Sequence, residues 1–282
     1  MEEPVIIEAA INGLTSKQQN TNVPRSAPEI ASDALRCFAA GATIVHHHVD
    51  TILAEGPVAA EAYLECWRPV WQVIPEALLY PTVNAGSVEM SFAHLPFLAE
   101  AGCRIGILDA GSVNLGGFVY VNSRADIEHQ VRVCAENHLG PSMAIFEPGF
   151  LRIALQLWQD GKLPKGAMIK LYFGGDAGYM GGVFGLPPTK PAFEAYMAML
   201  EGCDLPWSSA VLGGDIIESG IARWTLERGG HLHVGLEDWS GDDQPDNEEL
   251  VRSAVSLCAD IGRPLANLET THQVLGIAKQ NG

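Results

Sequence analysis

The stretch GATIVHHHVD, residues 41–50, contains a glycine, a short apolar run and three consecutive histidines. Just upstream, residues 26–29 read SAPE, which is the pattern of a capping box with proline near the helix start, so a helix is expected to begin there and to end at Gly41. The apolar residues that follow are continuous rather than alternating, which is typical of a strand buried on both faces. A helix that leads directly into a buried strand is a building block of a parallel α/β sheet.

The alternation of apolar runs and helical segments recurs along the whole chain. Eight such units in 282 residues favour a single-domain (β/α)8 TIM barrel over residues 1–282, although alternation alone is also compatible with an open doubly wound sheet. No stretch has the composition of a linker. The predicted strands are Val5–Ile11, Ala42–Val49, Ala77–Val83, Cys103–Asp109, Ser142–Glu147, Ala167–Phe173, Trp207–Leu212 and His231–Glu237. Further helices are predicted near 58–70, 89–101, 123–138, 149–160, 190–202, 215–228 and 247–261.

The chain is strongly acidic, with 17 Lys and Arg residues against 34 Asp and Glu residues and a formal net charge of −17. A field of this sign repels nucleic acid and anionic membranes, so neither is expected as a partner. No apolar run approaches the roughly 20 residues of a membrane span, and the N-terminus lacks the cationic region of a signal peptide, so a soluble cytoplasmic protein is expected. The 6 cysteines are scattered in apolar contexts, as buried free thiols are.

The three histidines end the second predicted strand, and in such barrels the active site is built at the carboxyl ends of the strands. Because side chains alternate between the faces of a strand, His46 and His48 share one face, and His47 points to the other, where a structural role is expected. Glu237, at the end of the eighth strand, would complete a set of two histidines and one carboxylate that leaves a zinc position open. The adjacent Asp238 is a candidate general base. The alternative for each is structural, since strand-end histidines and acids also fix turns or solvate loops.

Other polar residues at strand ends are further candidates. Glu147, after the fifth strand, has a claim similar to that of the acids after the eighth. Lys170 is expected either as a buried cation at the site or with its stem along the rim. Four hydroxyl or amide residues could donate to a substrate carboxylate or could simply fix turns, and these are Thr82, Asn84, Ser87 and Ser112. Four other histidines are expected at the surface, namely His94, His129, His138 and His272. The loops 174–190 and 238–246 are expected on the catalytic face.

Six motifs, in this order, resemble the β-keto acid cleavage enzymes over nearly the whole chain: VIIEAAING, GATIVHHHV, PTVNAG, LDAGSVNLGG, IFEPG and GGHLHVGLED. The resemblance implies a zinc-dependent (β/α)8 enzyme, typically a homotetramer, that reacts a β-keto acid with acetyl-CoA to give acetoacetate and a new acyl-CoA. Carried over by position, it implies zinc ligands at His46, His48 and Glu237 and the base at Asp238. It also implies site roles for Thr82, Ser112 and Glu147.

The chain departs from the family pattern at two places. Members often have an arginine paired with the catalytic aspartate where this chain has His233, in HLHVGLED. Period two points His233 toward Glu237 and the barrel mouth, where it could bind Asp238, recognise substrate or act as a fourth ligand, although a fourth ligand would compete with the open position. In addition, Leu14 and Thr15 stand where some members carry a substrate-recognising acid.

Two other classes of function are compatible with parts of the pattern. A metal-dependent hydrolase of the amidohydrolase kind also uses H-x-H in a barrel, but on the first strand and with histidines on strands five and six, where this chain has Glu147 and Lys170. A barrel that binds a metal or ligand without turnover is the non-enzymatic alternative.

Overall fold

The computed structural model describes residues 3–50, 56–84, 87–179 and 181–277. Its main sheet has eight strands, which are β1 (Ile7–Ala10), β2 (Ile44–His46), β3 (Leu78–Tyr80), β4 (Ile105–Leu108), β7 (Gly140–Ile145), β8 (Met168–Gly174), β9 (Trp207–Leu212) and β10 (His231–Val234). A separate antiparallel hairpin of β5 (Val113–Leu115) and β6 (Phe118–Tyr120) follows β4.

The eight strands pair in parallel in the order β3-β2-β1-β10-β9-β8-β7-β4. The end strands β3 and β4 lie next to each other, so the sheet curves into a nearly closed barrel. The predicted (β/α)8 fold is confirmed. The expectation that residues 1–282 form one domain stays a prediction.

Helices cover the outside of the barrel and mostly match the predicted positions. They are α1 (Ala27–Ala40), α2 (Gly56–Val73), α3 (Val88–Phe92), α4 (Leu95–Ala101), α5 (Arg124–Glu136), α6 (Pro148–Gln159), α7 (Lys190–Leu200), α8 (Ile221–Glu227), α9 (Asn247–Ile261) and α10 (Leu268–Leu275). The capping box is present at the start of α1, where the Glu29 carboxylate accepts from the Ser26 N–H at 2.9 Å. None of the helices in the described part of the chain has the length and apolarity that a membrane span needs.

Three helical predictions differ from the structure. The helix predicted near 89–101 is split into α3 and α4, because proline in the first turn of α4 starts a new helix rather than continuing the old one. The helix predicted near 215–228 is shorter, since Asp215 accepts from the N–H groups of Ile217 at 2.7 Å and Glu218 at 3.1 Å and holds a turn there. Helix α10 was not predicted.

The cysteines agree with the expectation of free thiols, and five of the six are buried. The expected surface position of two histidines is wrong. His94 is fully buried with Nε2 2.9 Å from the Thr82 carbonyl, and His272 is buried with Nε2 3.3 Å from the Glu76 carbonyl. A ring nitrogen that binds a backbone carbonyl satisfies that carbonyl inside the protein, which makes burial of a histidine favourable.

Candidate metal and catalytic site

The metal-ligand candidates are positioned by backbone contacts at the carboxyl ends of β2 and β10. Strand β2 ends at His46, so His48 lies beyond the ladder, and the Asn12 side chain accepts from the His48 N–H at 2.8 Å and donates to its carbonyl at 3.1 Å. The Glu237 N–H donates to the carbonyl of Ala10 at 3.1 Å. One side-chain amide and one backbone bond therefore hold His48 and Glu237 where the ladder has ended.

Glycine is required at two positions beside these ligands. Gly13 has a φ of +46°, and a Cβ there would lie 2.4 Å from Cγ of Glu237. Gly235 has a φ of +148°, and a Cβ there would lie 2.0 Å from the Ala10 carbonyl oxygen. Any other residue at either position would displace Glu237 or the end of β1.

His46, His48 and Glu237 come together as predicted, with one ligand atom of each within 4.8 Å of the others. Glu237 Oε2 lies 3.4 Å from His46 Nε2, and its Oε1 lies 3.3 Å from His48 Nε2. Two donors bound tetrahedrally to one zinc ion at about 2.0–2.1 Å would be about 3.4 Å apart. The spacing of the three side chains therefore fits a divalent ion.

The electrostatics of the set also suit a metal. Burial lowers the pKa of His46 to about 3, although the nearby Glu237 carboxylate acts in the opposite direction. His46 is therefore neutral at physiological pH, and a neutral imidazole has the lone pair that a metal needs. Glu237 Oε2 is buried with no hydrogen-bond partner among the described residues.

His47 points away from this set, and its predicted structural role is confirmed. It is fully buried, its Nε2 accepts from the Trp67 indole N–H at 2.6 Å, and its Nδ1 lies 3.2 Å from the His48 carbonyl. The imidazole packs against the rings of Tyr63 and Trp67 on α2.

A buried ionic network fills the barrel interior below the ligands. One oxygen of Glu8, Oε1, accepts from Lys170 Nζ at 2.7 Å and from the Tyr80 hydroxyl, and it lies 2.9 Å from His233 Nδ1. Lys170 also donates to the Tyr80 hydroxyl at 2.5 Å. Burial acts to raise the pKa of Glu8, but Lys170 and His233 outweigh it and hold that pKa well below its usual range. Lys170 is thus the buried cation that was one of its two predicted roles.

His233 connects this network to Asp238. Its Nε2 lies 2.8 Å from Asp238 Oδ2, while its Nδ1 faces Glu8. Burial acts to lower the pKa of His233, but the carboxylates of Asp238 and Glu8 raise it to about 9. Both ring nitrogens face carboxylates, and His233 is not among the three side chains that could hold a metal, so the geometry favours the predicted hydrogen bond to Asp238 over the fourth-ligand alternative.

A cavity of about 610 Å³ opens beside the metal-ligand candidates. Its walls include Thr82 and Asn84 as well as His48 and Glu237. Asn84 is 2% exposed, and neither its amide nitrogen nor its amide oxygen has a partner among the described residues. Because a buried amide without hydrogen bonds is costly, Asn84 is suited to bind a ligand. Tyr179 also lines this cavity, which agrees with the prediction that the loop 174–190 lies on the catalytic face.

Four predicted catalytic or substrate-binding residues lie off this cavity, namely Asp238, His233, Ser112 and Glu147. Asp238 lines a smaller cavity of about 140 Å³ with His233, and Tyr172 links the two spaces, since it lines the large cavity and its hydroxyl is 3.5 Å from His233 Nε2. The Ser112 hydroxyl is bound to the backbone N–H of Asn122 at 2.9 Å and to its carbonyl at 3.1 Å.

Glu147 lies on the outer side of β7. Phe146 lines the cavity, and the adjacent Glu147 is the N-cap of α6 with its charge near Tyr196 of α7. Strand alternation explains this position, because adjacent residues point to opposite faces.

Two residues that contribute to the site were not predicted. Glu8 lies in an apolar run that was interpreted only as a buried strand, and its charge between apolar neighbours was the available signal. Asp109 ends the fourth predicted strand and lines the cavity, with its Oδ2 accepting from the Tyr120 hydroxyl at 2.5 Å. Its place at a strand end was the available signal.

The fold and these side chains define a class, the (β/α)8 enzymes whose active site is assembled at the carboxyl ends of the strands. The model of the beta-keto acid cleavage enzyme family matches residues 4–277. The chain belongs to this family, as its motifs predicted, and the expectation of an enzyme is confirmed.

Curated relatives span the same length. The chain is 26% identical to the 3-keto-5-aminohexanoate cleavage enzyme of Acetoanaerobium sticklandii, covering 98% of this chain and 100% of that protein. It is 29% identical to the 3-oxoadipate:acetyl-CoA acetyltransferase of Cupriavidus necator, covering 98% and 96%. It is 25% identical to the 3-dehydrocarnitine:acetyl-CoA trimethylamine transferase of Rhizobium meliloti, covering 99% and 99%.

Among solved structures, the ternary complex of ObcA with C4-CoA adduct and oxalate superposes with a TM-score of 0.71 and 15% identity, covering 91% of this chain and 68% of that one. At this identity, the likeness supports the fold alone.

The buried pair of Glu8 and Lys170 yields a stability prediction. Lys170→Met leaves the Glu8 carboxylate buried without its ammonium partner, and breaking such a pair costs about 3–5 kcal/mol. Urea unfolding should therefore show a loss of this order in the free energy of unfolding. The double variant Glu8→Gln/Lys170→Met should lose less than the sum of the single variants. Strict additivity of the two changes would contradict the direct interaction.

Proposed function

We propose that the protein cleaves a β-keto acid with acetyl-CoA as co-substrate and uses zinc held by His46, His48 and Glu237. The products are acetoacetate and the acyl-CoA of the remaining part of the substrate. The observation that carries the proposal is the spacing of these three side chains beside the cavity, in a chain that matches the family over residues 4–277. The names of the relatives from Cupriavidus necator and Rhizobium meliloti specify acetyl-CoA as well.

The ion would polarise the keto oxygen of the substrate as a Lewis acid. Asn84 and Thr82 would bind the substrate carboxylate, because both line the cavity and Asn84 has an amide N–H group to donate. The apolar side chains of the cavity wall would limit the access of water to the reacting carbons. Ser112 and Glu147 stay predictions for the site, and their positions off the cavity do not support direct contact with the substrate.

Asp238 would remove the proton from the α-carbon, which lies between the carboxylate and the ketone and is acidified by both. The α-carbon then bonds to the acetyl carbonyl carbon, and CoA leaves as its thiolate. The thiolate bonds to the original keto carbon, and the bond between that carbon and the α-carbon breaks with its electron pair on the α-carbon. The α-carbon then takes back the proton from Asp238, which gives acetoacetate and restores the carboxylate. All the atoms of the two substrates are found in acetoacetate and the new acyl-CoA.

His233 would position Asp238. Its Nε2 is 2.8 Å from the carboxylate, and Glu8 fixes the imidazole from the other side. Asp238 borders the smaller cavity, whereas the substrate would lie in the large one. Tyr172 lines the large cavity, and its hydroxyl is 3.5 Å from His233 Nε2, so the α-proton would reach Asp238 beside this hydroxyl.

We also propose a homotetramer in the cytoplasm, on the resemblance to the family, with neither nucleic acid nor membrane as a partner. Light scattering coupled to size exclusion would test the assembly. The function itself is tested by incubating purified protein with a panel of β-keto acids and acetyl-CoA and identifying new acyl-CoA species by mass. If no acid in a broad panel yields acetoacetate and a new thioester, the proposed reaction is wrong.

The metal assignment predicts about one zinc-class ion per chain after purification with zinc, because two imidazoles and one carboxylate lie at the spacing of zinc ligands. His46→Ala and Glu237→Ala should each lose the ion, as measured by elemental analysis. His47→Ala serves as the matched control and should keep it, since that ring faces away from the set. Equal metal content in all three variants and the wild type would refute the assignment.

Asp238→Asn should keep the metal and lose most turnover. A general base contributes about 10²–10⁴-fold, and asparagine cannot accept the proton. Steady-state kcat with a substrate found in the panel is the measurement, and metal content is the control. A metal-loaded variant with near-wild-type kcat would remove Asp238 from this role.

The role of His233 can be tested with two amides that each imitate one ring nitrogen. The amide nitrogen of His233→Gln can reach the position of Nε2 beside Asp238, whereas that of His233→Asn can reach only the position of Nδ1 beside Glu8. If His233 positions the base, kcat should fall further in His233→Asn than in His233→Gln, and the pH profile of kcat/KM should change shape. Substrate recognition alone would instead raise KM with little change in kcat. Unchanged kinetics in both folded, metal-loaded variants would make His233 a structural residue.

A further inference from the structure

The large cavity carries negative charge without a cationic side chain on its described lining. The acids on its wall are Glu237, Asp109 and Asp126, and neither lysine nor arginine is among the described residues that line it. Lys170 is close enough to act electrostatically on Asp109, but its ammonium is bound to Glu8 and to the Tyr80 hydroxyl in the barrel interior. The described wall therefore offers no ion pair to an anionic group of a ligand.

Asp109 is an acid outside the metal-ligand set whose hydrogen bonding is incomplete. It is 5% exposed, its Oδ2 accepts from the Tyr120 hydroxyl at 2.5 Å, and its Oδ1 has no partner among the described residues. Burial raises the pKa of Asp109 to about 6, against the opposing effects of Tyr120 and Lys170. The carboxyl group is thus mostly ionised above neutral pH, and a buried carboxylate oxygen without a donor is costly unless a ligand supplies one.

The barrel places Asp109 across the cavity from the metal-ligand candidates. In the ring of eight strands, β4 is four positions away from β10, which is the opposite side of the barrel. Asp109 follows β4, Glu237 follows β10, and Asn84 follows β3 between them. A β-keto acid whose carboxylate and ketone lie near Glu237 and Asn84 would therefore extend its distal end toward Asp109.

The wall around Asp109 is otherwise largely apolar. Phe118 and Val119 of the hairpin and Val121 directly after it line the cavity, and Tyr120 turns its hydroxyl to Asp109. A wall that combines apolar side chains with the carboxylates of Asp109 and Asp126, and that has no basic side chain among its described residues, favours a ligand with a short aliphatic chain and a positively charged end.

We propose that Asp109 is the residue that determines substrate specificity, and that it selects β-keto acids with an ammonium group at the distal end over those with a second carboxylate. This inference rests on the proposed function, since it names the substrate class of that same site. Asp126 lines the same cavity, but its carboxylate accepts from the Ser123 N–H at 2.6 Å in the capping box of α5, whereas Oδ1 of Asp109 has no partner among the described residues.

The test uses three acids with the same six-carbon backbone, which are 5-amino-3-oxohexanoate, 3-oxohexanoate and 3-oxoadipate. Their distal parts are cationic, neutral and anionic. Assays of acetyl-CoA-dependent acyl-CoA formation at a pH well above the Asp109 pKa should give a kcat/KM for the cationic acid at least about tenfold above that for the anionic acid. Asp109→Asn should reduce this ratio to near one, and Asp109→Glu, which keeps the charge, should retain most of it.

Asp33→Asn is the matched control, because Asp33 is also a buried acid but lies at the contact of α1 and α9, bound to Arg36 and Asn247. It should lower stability and leave the substrate ratio unchanged. A wild type that prefers the anionic or the neutral acid would overturn the inference while leaving the proposed reaction intact. A cationic preference that survives in Asp109→Asn would remove Asp109 from the role. If none of the acids is turned over in this or the broader panel, the proposed function itself fails.

Discussion

The carboxylate of Glu8 in the barrel interior is the constraint on which the site depends. A carboxylate that is 1% exposed must be compensated by cations and hydrogen-bond donors, and the barrel supplies these from three other strands. Lys170 comes from β8, Tyr80 from β3 and His233 from β10. Because these strands are not all neighbours of β1 in the sheet, their bonds cross the interior and fix the strands relative to one another. This network also positions Asp238. Glu8 orients the imidazole of His233 through Nδ1, and the opposite nitrogen, Nε2, contacts the Asp238 carboxylate.

The metal-ligand candidates depend on a second set of contacts, which is made by backbone atoms rather than charges. Asn12 fixes the chain at His48, and the Ala10 carbonyl fixes it at Glu237. Ala10 is the last residue of β1 and Asn12 lies two residues beyond it, and the same strand carries Glu8. The first strand thus organises the site from both sides, although none of its own residues is a candidate ligand or base. Substitution in β1 should consequently affect metal and base together, whereas substitution in the β5–β6 hairpin should affect the choice of substrate.

The sequence predicted those features that depend on local pattern. Continuous apolar runs indicated eight buried strands, and alternation along a strand separated His46 and His48 from His47 correctly. The same rule places Phe146 and Glu147 on opposite faces. Glu147 was proposed as a site residue from its position at a strand end, and the alternation of faces was not applied to it. Glu8 and Asp109 escaped prediction for a different reason. Their partners lie on other strands or on a hairpin, and a single sequence carries no direct signal for contacts across a barrel. His94 and His272 were misjudged because their burial depends on backbone carbonyls distant in sequence.

The histidine that replaces the family arginine is explained by the same interior network. An arginine is always charged and needs one carboxylate to be compensated, whereas a histidine becomes a reliable cation only where its pKa is raised. Here two carboxylates flank the imidazole, one on each nitrogen, and they raise its pKa to about 9 despite its complete burial. Glu8 and Asp238 then balance Lys170 and His233, two charges against two. The charge of His233 thus depends on Glu8 as well as on Asp238, so the first strand determines the electrostatics of the candidate base.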